Sequence, residues 1–236
     1  MTRDHKLFLK WLLQFSFIFF FFYFVWDQGL IGELISAVRS YITSTILCLF
    51  IIICSHCGYF TFIISSELNK AHIIKKSLLK ENVLLKIIDN HLILSSKGEI
   101  SEGIVSEYFI DFLNLKKNGV STHSQILDSY IKKTNGYYEL GWFSADLMLK
   151  LGLIGTVIGF IIMLGSLSDI TTFDVTLLQG VLTTMGSGMG VALYTTLSAL
   201  VTGLFIAIQY FNLESGCEEL FSVINQISEV SLEKSK

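Results

Sequence analysis

Proline is absent from this chain of 236 residues, and acidic side chains are absent from the interior of its long apolar runs. Because proline is the commonest cause of a sharp helix bend, none of the helices is kinked by that route. Proton relays inside membranes normally use carboxylates. The apolar runs of this chain therefore do not carry a proton relay made of their own carboxylates.

Cysteine is scarce, and three of the four cysteines lie in one apolar run: Cys48, Cys54 and Cys57. The segment CSHCG at 54–58 has the spacing of some zinc and redox motifs, but a zinc site needs about four ligands and no second pair follows. A c-type haem motif has histidine after the second cysteine, whereas His56 lies between the two. We expect no metal site and no cofactor, and we interpret these residues as small or polar positions on a membrane helix.

Signals for nucleic acid binding and for catalysis are also missing. The formal net charge is −3, and no basic cluster is interleaved with aromatic residues, so we expect no nucleic acid partner. No nucleophile, base or metal ligand set is recognisable, so we do not expect an enzyme.

Apolar residues make up 52% of the chain and are separated from the charged residues in blocks, with a mean hydropathy of +0.61. A helix needs about 20 apolar residues to cross the hydrocarbon of a lipid bilayer. Four runs meet this requirement, and we predict that they span the membrane: 7–26, 41–64, 147–167 and 185–211.

Lysine and arginine predict the orientation of the spans, because these residues concentrate in cytoplasmic loops. Of the 17 Lys and Arg residues, only Arg39 lies outside three groups at the N-terminus, at 70–150 and at the C-terminus. We therefore expect both termini and the middle segment to be cytoplasmic. The loops 27–40 and 168–184 would face outward.

The middle segment is too polar to cross a membrane, and its apolar residues recur at helical spacing. We predict a helix over 67–94, a break at 96–99, a helix ending at Asn118-Gly119, and a third from Thr122 to Asn135-Gly136. Helix then resumes at Tyr137 and continues into span three. After span four, an apolar stripe predicts a helical tail: Leu213, Cys217, Leu220, Ile224 and Ile227.

The predicted fold is therefore an all-α membrane protein. It has four transmembrane helices and a helical cytoplasmic domain between spans two and three, and spans three and four extend into the cytoplasm. The predicted divisions are 1–64 for two outer helices, 65–146 for the cytoplasmic domain, 147–211 for two inner helices and 212–236 for the tail.

Glycine is concentrated in span three, where the segment LGLIGTVIGF occupies 151–160. Small residues let membrane helices approach closely, so this segment predicts a packing face that meets a second small stripe in span four. Spans one and two are bulky and predict an outer layer around spans three and four. The predicted helix-packing residues are Gly152, Gly155, Gly159, Gly190, Ala199 and Gly203.

Hydroxyl groups accompany the small residues, and two interpretations stay open. Thr156, Thr195 and Thr196 either line a polar path for an ion or bond their own backbone carbonyls and only pack. His56 is the one clear ionisable group deep in a span, and we interpret it as a structural polar residue.

The two motifs together, LGLIGTVIGF and GMGVALYTTLSALVTGLFIA, resemble the channel region of the MotA/TolQ/ExbB family over about 137–215. The resemblance implies a homopentamer around a central pore in the bacterial inner membrane. It also implies a MotB/TolR/ExbD-like partner with a single span and a membrane aspartate, past which ions flow to drive rotation. Thr156 and Thr196 match the threonines of the family's two inner helices. The chain departs from the ExbB and TolQ pattern at Val191, where those members carry glutamate.

Two functions are thus predicted as alternatives. The first is an ion channel subunit, for protons, in an inner-membrane motor that converts ion-motive force into mechanical work with its partner. The second is a structural membrane scaffold, in which the small stripes only pack helices. In both cases the lipid bilayer surrounds the protein.

Overall fold

The computed structural model describes residues 6–27, 41–80, 85–88, 91–94, 98–99, 103–117, 123–168 and 175–233. Five helices occur in these residues: α1 (Lys6–Asp27), α2 (Tyr41–Lys80), α3 (Ile104–Lys117), α4 (His123–Ser168) and α5 (Val175–Glu233). They also contain three short strands: β1 (Leu85–Ile88), β2 (His91–Leu94) and β3 (Gly98–Glu99).

Four of the helices are long and apolar enough to cross a membrane: α1, α2, α4 and α5. This finding confirms the predicted number of candidate spans. Large apolar side chains are exposed along all four helices in the single chain, among them Phe19, Ile51, Phe160 and Leu204. Since soluble monomers rarely expose such extended apolar surface, these faces require lipid or another protein against them.

Helices α4 and α5 continue well beyond their apolar runs, as predicted for spans three and four. With 59 residues at 1.5 Å per residue, α5 is about 90 Å long, roughly three times the thickness of the hydrocarbon. Helix α5 must therefore project out of any bilayer that it crosses. The side to which it projects is a prediction from the lysine distribution.

The predicted break at Asn135-Gly136 is wrong, because α4 runs through both residues without interruption. A glycine inside a helix costs only about 1 kcal/mol relative to alanine. The continuous hydrogen-bond ladder of a 46-residue helix therefore tolerates this glycine.

The prediction of an exclusively helical middle segment is also wrong. Helix α2 ends at Lys80, and the strands β1, β2 and β3 form an antiparallel sheet in that order. Strands β1 and β2 pair so that Ile87 lies opposite Leu92. Asp89 and Asn90, which separate the two strands in the sequence, are common turn residues, and the isoleucines around them favour strands. These two local preferences outweigh the apparent helical spacing.

The chain divides into two compact units, and several helices contribute to both. The first unit comprises 1–11, 57–139 and 211–236. Its core contains the aromatic residues of α3 and the whole predicted stripe of the tail: Tyr108, Phe109, Phe112, Leu213, Cys217, Leu220, Ile224 and Ile227. The Tyr108 hydroxyl lies 3.1 Å from the Ser228 hydroxyl, and burial raises the pKa of Tyr108 above its ordinary value.

A carboxylate determines where α3 begins. Glu67 of α2 is buried, and its Oε2 accepts a hydrogen bond of 2.9 Å from the backbone N–H of Val105 in the first turn of α3. Its Oε1 lies 2.7 Å from the Lys70 ammonium. The carboxylate therefore satisfies an otherwise unpaired N–H of α3 and keeps its charge balanced by a cation.

The second unit comprises 12–56 and 140–210. Its fully buried side chains include Ile46 of α2, Met148 of α4, and Ile206 and Tyr210 of α5. Aromatic contacts join α1 to the other helices of this unit: the ring centroids of Phe21 and Phe205 are 5.6 Å apart. The predicted domain divisions do not coincide with these two units and remain predictions.

Candidate functional site in the contact between α4 and α5

Three glycines of α4 lie directly against α5. A Cβ atom at Gly152 would lie 2.5 Å from the Cβ of Ala199, which is far closer than such atoms approach. At Gly155 it would overlap the side chain of Thr195, and at Gly159 it would lie 2.7 Å from the backbone N of Ala192. The structure therefore places these three predicted packing glycines and Ala199 in one close helix contact, as their spacing indicates.

Gly188 belongs to the same contact and was missing from the predicted packing residues. A Cβ atom there would lie 2.8 Å from the backbone N of Met163. Gly190, another of the predicted packing residues, has only its own neighbour Tyr194 within 4 Å among the described residues, at 3.9 Å. Gly188 lies one helical turn before Ala192, so extending the small stripe of span four by four residues identifies it. Gly190 points to a different side of the helix.

Gly203 lies at a looser part of the contact. A Cβ atom there would lie 3.4 Å from the backbone O of Ala145 and 3.7 Å from the Cβ of Met148. Moderate crowding of this kind is tolerable after a small shift. The closest backbone approach within this contact is therefore between 152–163 of α4 and 188–199 of α5.

The hydroxyl of Thr195 is enclosed inside this contact. Thr195 is 0% exposed, and its Oγ1 donates to the carbonyls of Val191 and Ala192 at 2.8 and 3.1 Å. Its hydrogen-bonding capacity as a donor is thus used within α5. In the single chain this geometry is that of a packing threonine.

Thr156 and Thr196 are only partly buried. The Thr196 hydroxyl lies 3.3 Å from the carbonyl O of Gly152 on α4 and 3.1 Å from that of Ala192 on its own helix. The Thr156 hydroxyl donates to the carbonyl of Leu153 at 2.6 Å. Each hydroxyl proton is directed at a backbone carbonyl, so each oxygen keeps free lone pairs that can accept a hydrogen bond.

His56 lies away from the threonines, on α2. Its Nδ1 is 2.8 Å from the hydroxyl of Tyr210 on α5. The ring of Tyr210 in turn fills the place where a side chain at Gly141 of α4 would lie. The histidine therefore has a structural partner, in agreement with its interpretation as a structural polar residue. The contact between Tyr210 and Gly141 cannot be predicted from the sequence, because it depends on how three helices pack.

A family model described as the MotA/TolQ/ExbB proton channel family matches residues 145–226. Over these residues the chain is similar to that family. The match confirms the resemblance inferred from the two motifs. No curated protein and no solved structure matches the chain.

The MotA/TolQ/ExbB match covers about a third of the chain and includes most of α4's apolar run and of α5. The close contact of the glycines and all three threonines therefore lie inside it. Together with the four apolar helices, the match identifies a multi-pass membrane protein. Helices α1, α2 and α3 and the sheet lie outside the matched region.

Proposed function

We propose that this chain is a proton-conducting subunit of a membrane motor, and that it works with a MotB/TolR/ExbD-like subunit whose single span carries an aspartate. The motor would lie in a bacterial inner membrane, with both termini of this chain in the cytoplasm. The membrane-spanning parts of α4 and α5 would form the inner layer around the partner. The observation that carries the proposal is the family match over the close contact between these two helices.

The chemistry of the two half-buried threonines supports their place beside the partner's aspartate. Because both hydroxyl protons are directed at backbone carbonyls, the oxygens are available as acceptors. A protonated carboxyl group donates one hydrogen bond, whereas an ionised carboxylate only accepts. Thr156 and Thr196 would therefore stabilise the protonated, neutral aspartate and favour uptake of the proton.

Thr195 has a different part in this proposal. Its hydroxyl donates a hydrogen bond to the carbonyl of Val191 inside the contact, and its side chain is fully buried in the single chain. It would hold α5 against Gly155 of α4 and keep the neighbouring Thr196 in position. An ion would meet Thr195 only if α4 and α5 separated.

We further propose that the chain forms a homopentamer. The resemblance motivates the number, and the exposed apolar side chains of α4 and α5 support association. These side chains form two broad faces: Leu153, Val157, Phe160 and Leu164 on α4, with Leu193, Leu197, Leu200 and Leu204 on α5. Gly190 lies outside the internal contact and is available for packing between subunits.

The test is the double variant Thr156→Val, Thr196→Val, which removes both hydroxyls and keeps the side-chain shape. The matched control is Thr202→Val, because Thr202 is buried on the same helix and its hydroxyl bonds the carbonyl of Ser198 at 2.7 Å. Each variant is purified with its partner subunit and reconstituted in liposomes that contain a pH-sensitive dye. Proton flux is then measured under an imposed voltage.

We expect the double variant to assemble with its partner and to lose most of the flux, while Thr202→Val retains it. Full flux in the double variant would show that the two hydroxyls only pack. If the unaltered complex carries no flux under any driving force, the scaffold function is supported instead and the channel proposal is wrong.

A further inference from the structure

The amide of Gln209 is buried where α5 packs against α2. Its side chain is 1% exposed, and apart from the thiol of Cys54 neither Nε2 nor Oε1 has a hydrogen-bond partner within the described residues. It lies inside the apolar run predicted to span the membrane. An amide without partners is especially costly there, since hydrocarbon offers no hydrogen bonds.

Other polar groups of α2 and α5 lie near this amide. The thiol of the buried Cys54 on α2 faces it. The next residue of α5, Tyr210, is paired with His56 of α2. Gln209 therefore belongs to a polar layer between α2 and α5 and is not an isolated defect in an apolar core.

A second buried amide oxygen comes from α1. The Oε1 atom of Gln14 is buried and has no hydrogen-bond partner among the described residues. The predicted topology has α1 and α5 antiparallel, and within the second unit the ring of Phe21 meets that of Phe205 edge to face, with centroids 5.6 Å apart. Gln14 is two turns before Phe21 and Gln209 is one turn after Phe205, so the two amides lie at the same level within about one helical turn.

We propose that Gln209, Gln14 and Cys54 form a buried water-binding site between α1, α2 and α5. A buried water makes about three hydrogen bonds. It would accept from Nε2 of Gln209, donate to Oε1 of Gln14, and make a third bond to Oε1 of Gln209 or to the Cys54 thiol. The donors and acceptors on the three helices complement those of water, and polar groups too far apart for direct bonds are commonly bridged in this way.

The site would connect the membrane-spanning part of α5 to the outer helices by exchangeable hydrogen bonds. Bonds through water re-form after a small displacement, so α5 could shift relative to α1 and α2 at low cost. This inference does not depend on the proposed channel function, because it rests only on the buried amides and their neighbours.

The test is hydroxyl-radical footprinting of the purified full-length protein in detergent, with radicals produced from water by short X-ray pulses. Ordered buried water is itself a source of radicals, so it labels side chains that bulk solvent does not reach. Tyr210 reports on the site. Tyr108 is the matched control, because both tyrosines are 0% exposed and Tyr108 lies in the other unit of the chain.

We expect Tyr210 to be labelled at least threefold faster than Tyr108, and we expect Gln209→Leu to abolish this difference. Equal, slow labelling of the two tyrosines in the unaltered protein would overturn the proposal, and this comparison does not require the variant to fold. Fast labelling of Tyr210 that persists in a folded Gln209→Leu variant would also overturn it, because the amide would then not hold the water.

Discussion

Gly159→Ala isolates the effect of the close helix contact from that of glycine itself. The added Cβ would lie 2.7 Å from the backbone N of Ala192 and 2.7 Å from the backbone O of Gly188. Backbone atoms cannot rotate away, so α4 and α5 have to separate. Overpacking of this kind typically costs about 1–3 kcal/mol.

Gly165→Ala is the matched control on the same helix, since among the described residues no atom lies within 4 Å of the place where its Cβ would be. Both substitutions remove a helical glycine and gain up to about 1 kcal/mol of helix propensity. That gain cancels between the two variants, so the difference between their free energies of unfolding measures the effect of the contact alone.

We expect Gly159→Ala to be less stable than Gly165→Ala by about 1–3 kcal/mol. The measurement is equilibrium unfolding in mixed micelles with increasing denaturing detergent, followed by circular dichroism, on purified protein. The oligomeric state of each variant is checked under the same conditions, so that a change in assembly is not mistaken for a change in packing. Equal stability of the two variants would refute the close contact between α4 and α5.

Three further outcomes can be checked. Glu67→Gln keeps the shape of the side chain but weakens the hydrogen bond from Val105 and the pairing with Lys70. We expect the free energy of unfolding to fall by about 1–3 kcal/mol in the same assay. Unchanged stability would show that the capping contact is unimportant. In a cysteine-free background, we expect Ser36→Cys to react with an impermeant thiol reagent added outside. We expect Lys76→Cys, at an exposed position, to react only after the membrane is permeabilised. The reverse pattern would show that the predicted orientation is inverted. Native mass spectrometry in mild detergent should show a homopentamer, and a monomer at all concentrations would contradict it.

Burial decides which residue of α2 can report on sidedness. Ser77 is the serine nearest to the middle of the predicted cytoplasmic segment of α2, but its side chain is buried. A cysteine there would fail to react for lack of access, whichever side of the membrane it faced. Its neighbour Lys76 is exposed and reports on sidedness instead.

Local sequence patterns predicted some elements and failed at others for identifiable reasons. The tail stripe from Leu213 to Ile227 was predicted because a long amphipathic helix repeats its apolar residues at a constant period. The strands β1 and β2 were missed because a short apolar run fits both a helix and a strand when lysines interrupt it. Asn135-Gly136 looked like a helix end because breaker residues act locally, whereas the continuity of α4 depends on the whole helix.

The sequence by itself determined the membrane class, the four candidate spans and the similarity of 145–226 to the MotA/TolQ/ExbB family, because hydropathy and the glycine–threonine motifs are properties of contiguous residues. It also identified Gly152, Gly155 and Gly159 as one packing face, since helical periodicity alone brings them together. Only the tertiary structure decided what meets that face. It placed Gly188 and not Gly190 in the contact, enclosed Thr195 while leaving Thr196 at its edge, and brought Glu67 to the start of α3. These outcomes depend on the rotation and register of one helix against another, which many side chains set together and no single segment encodes.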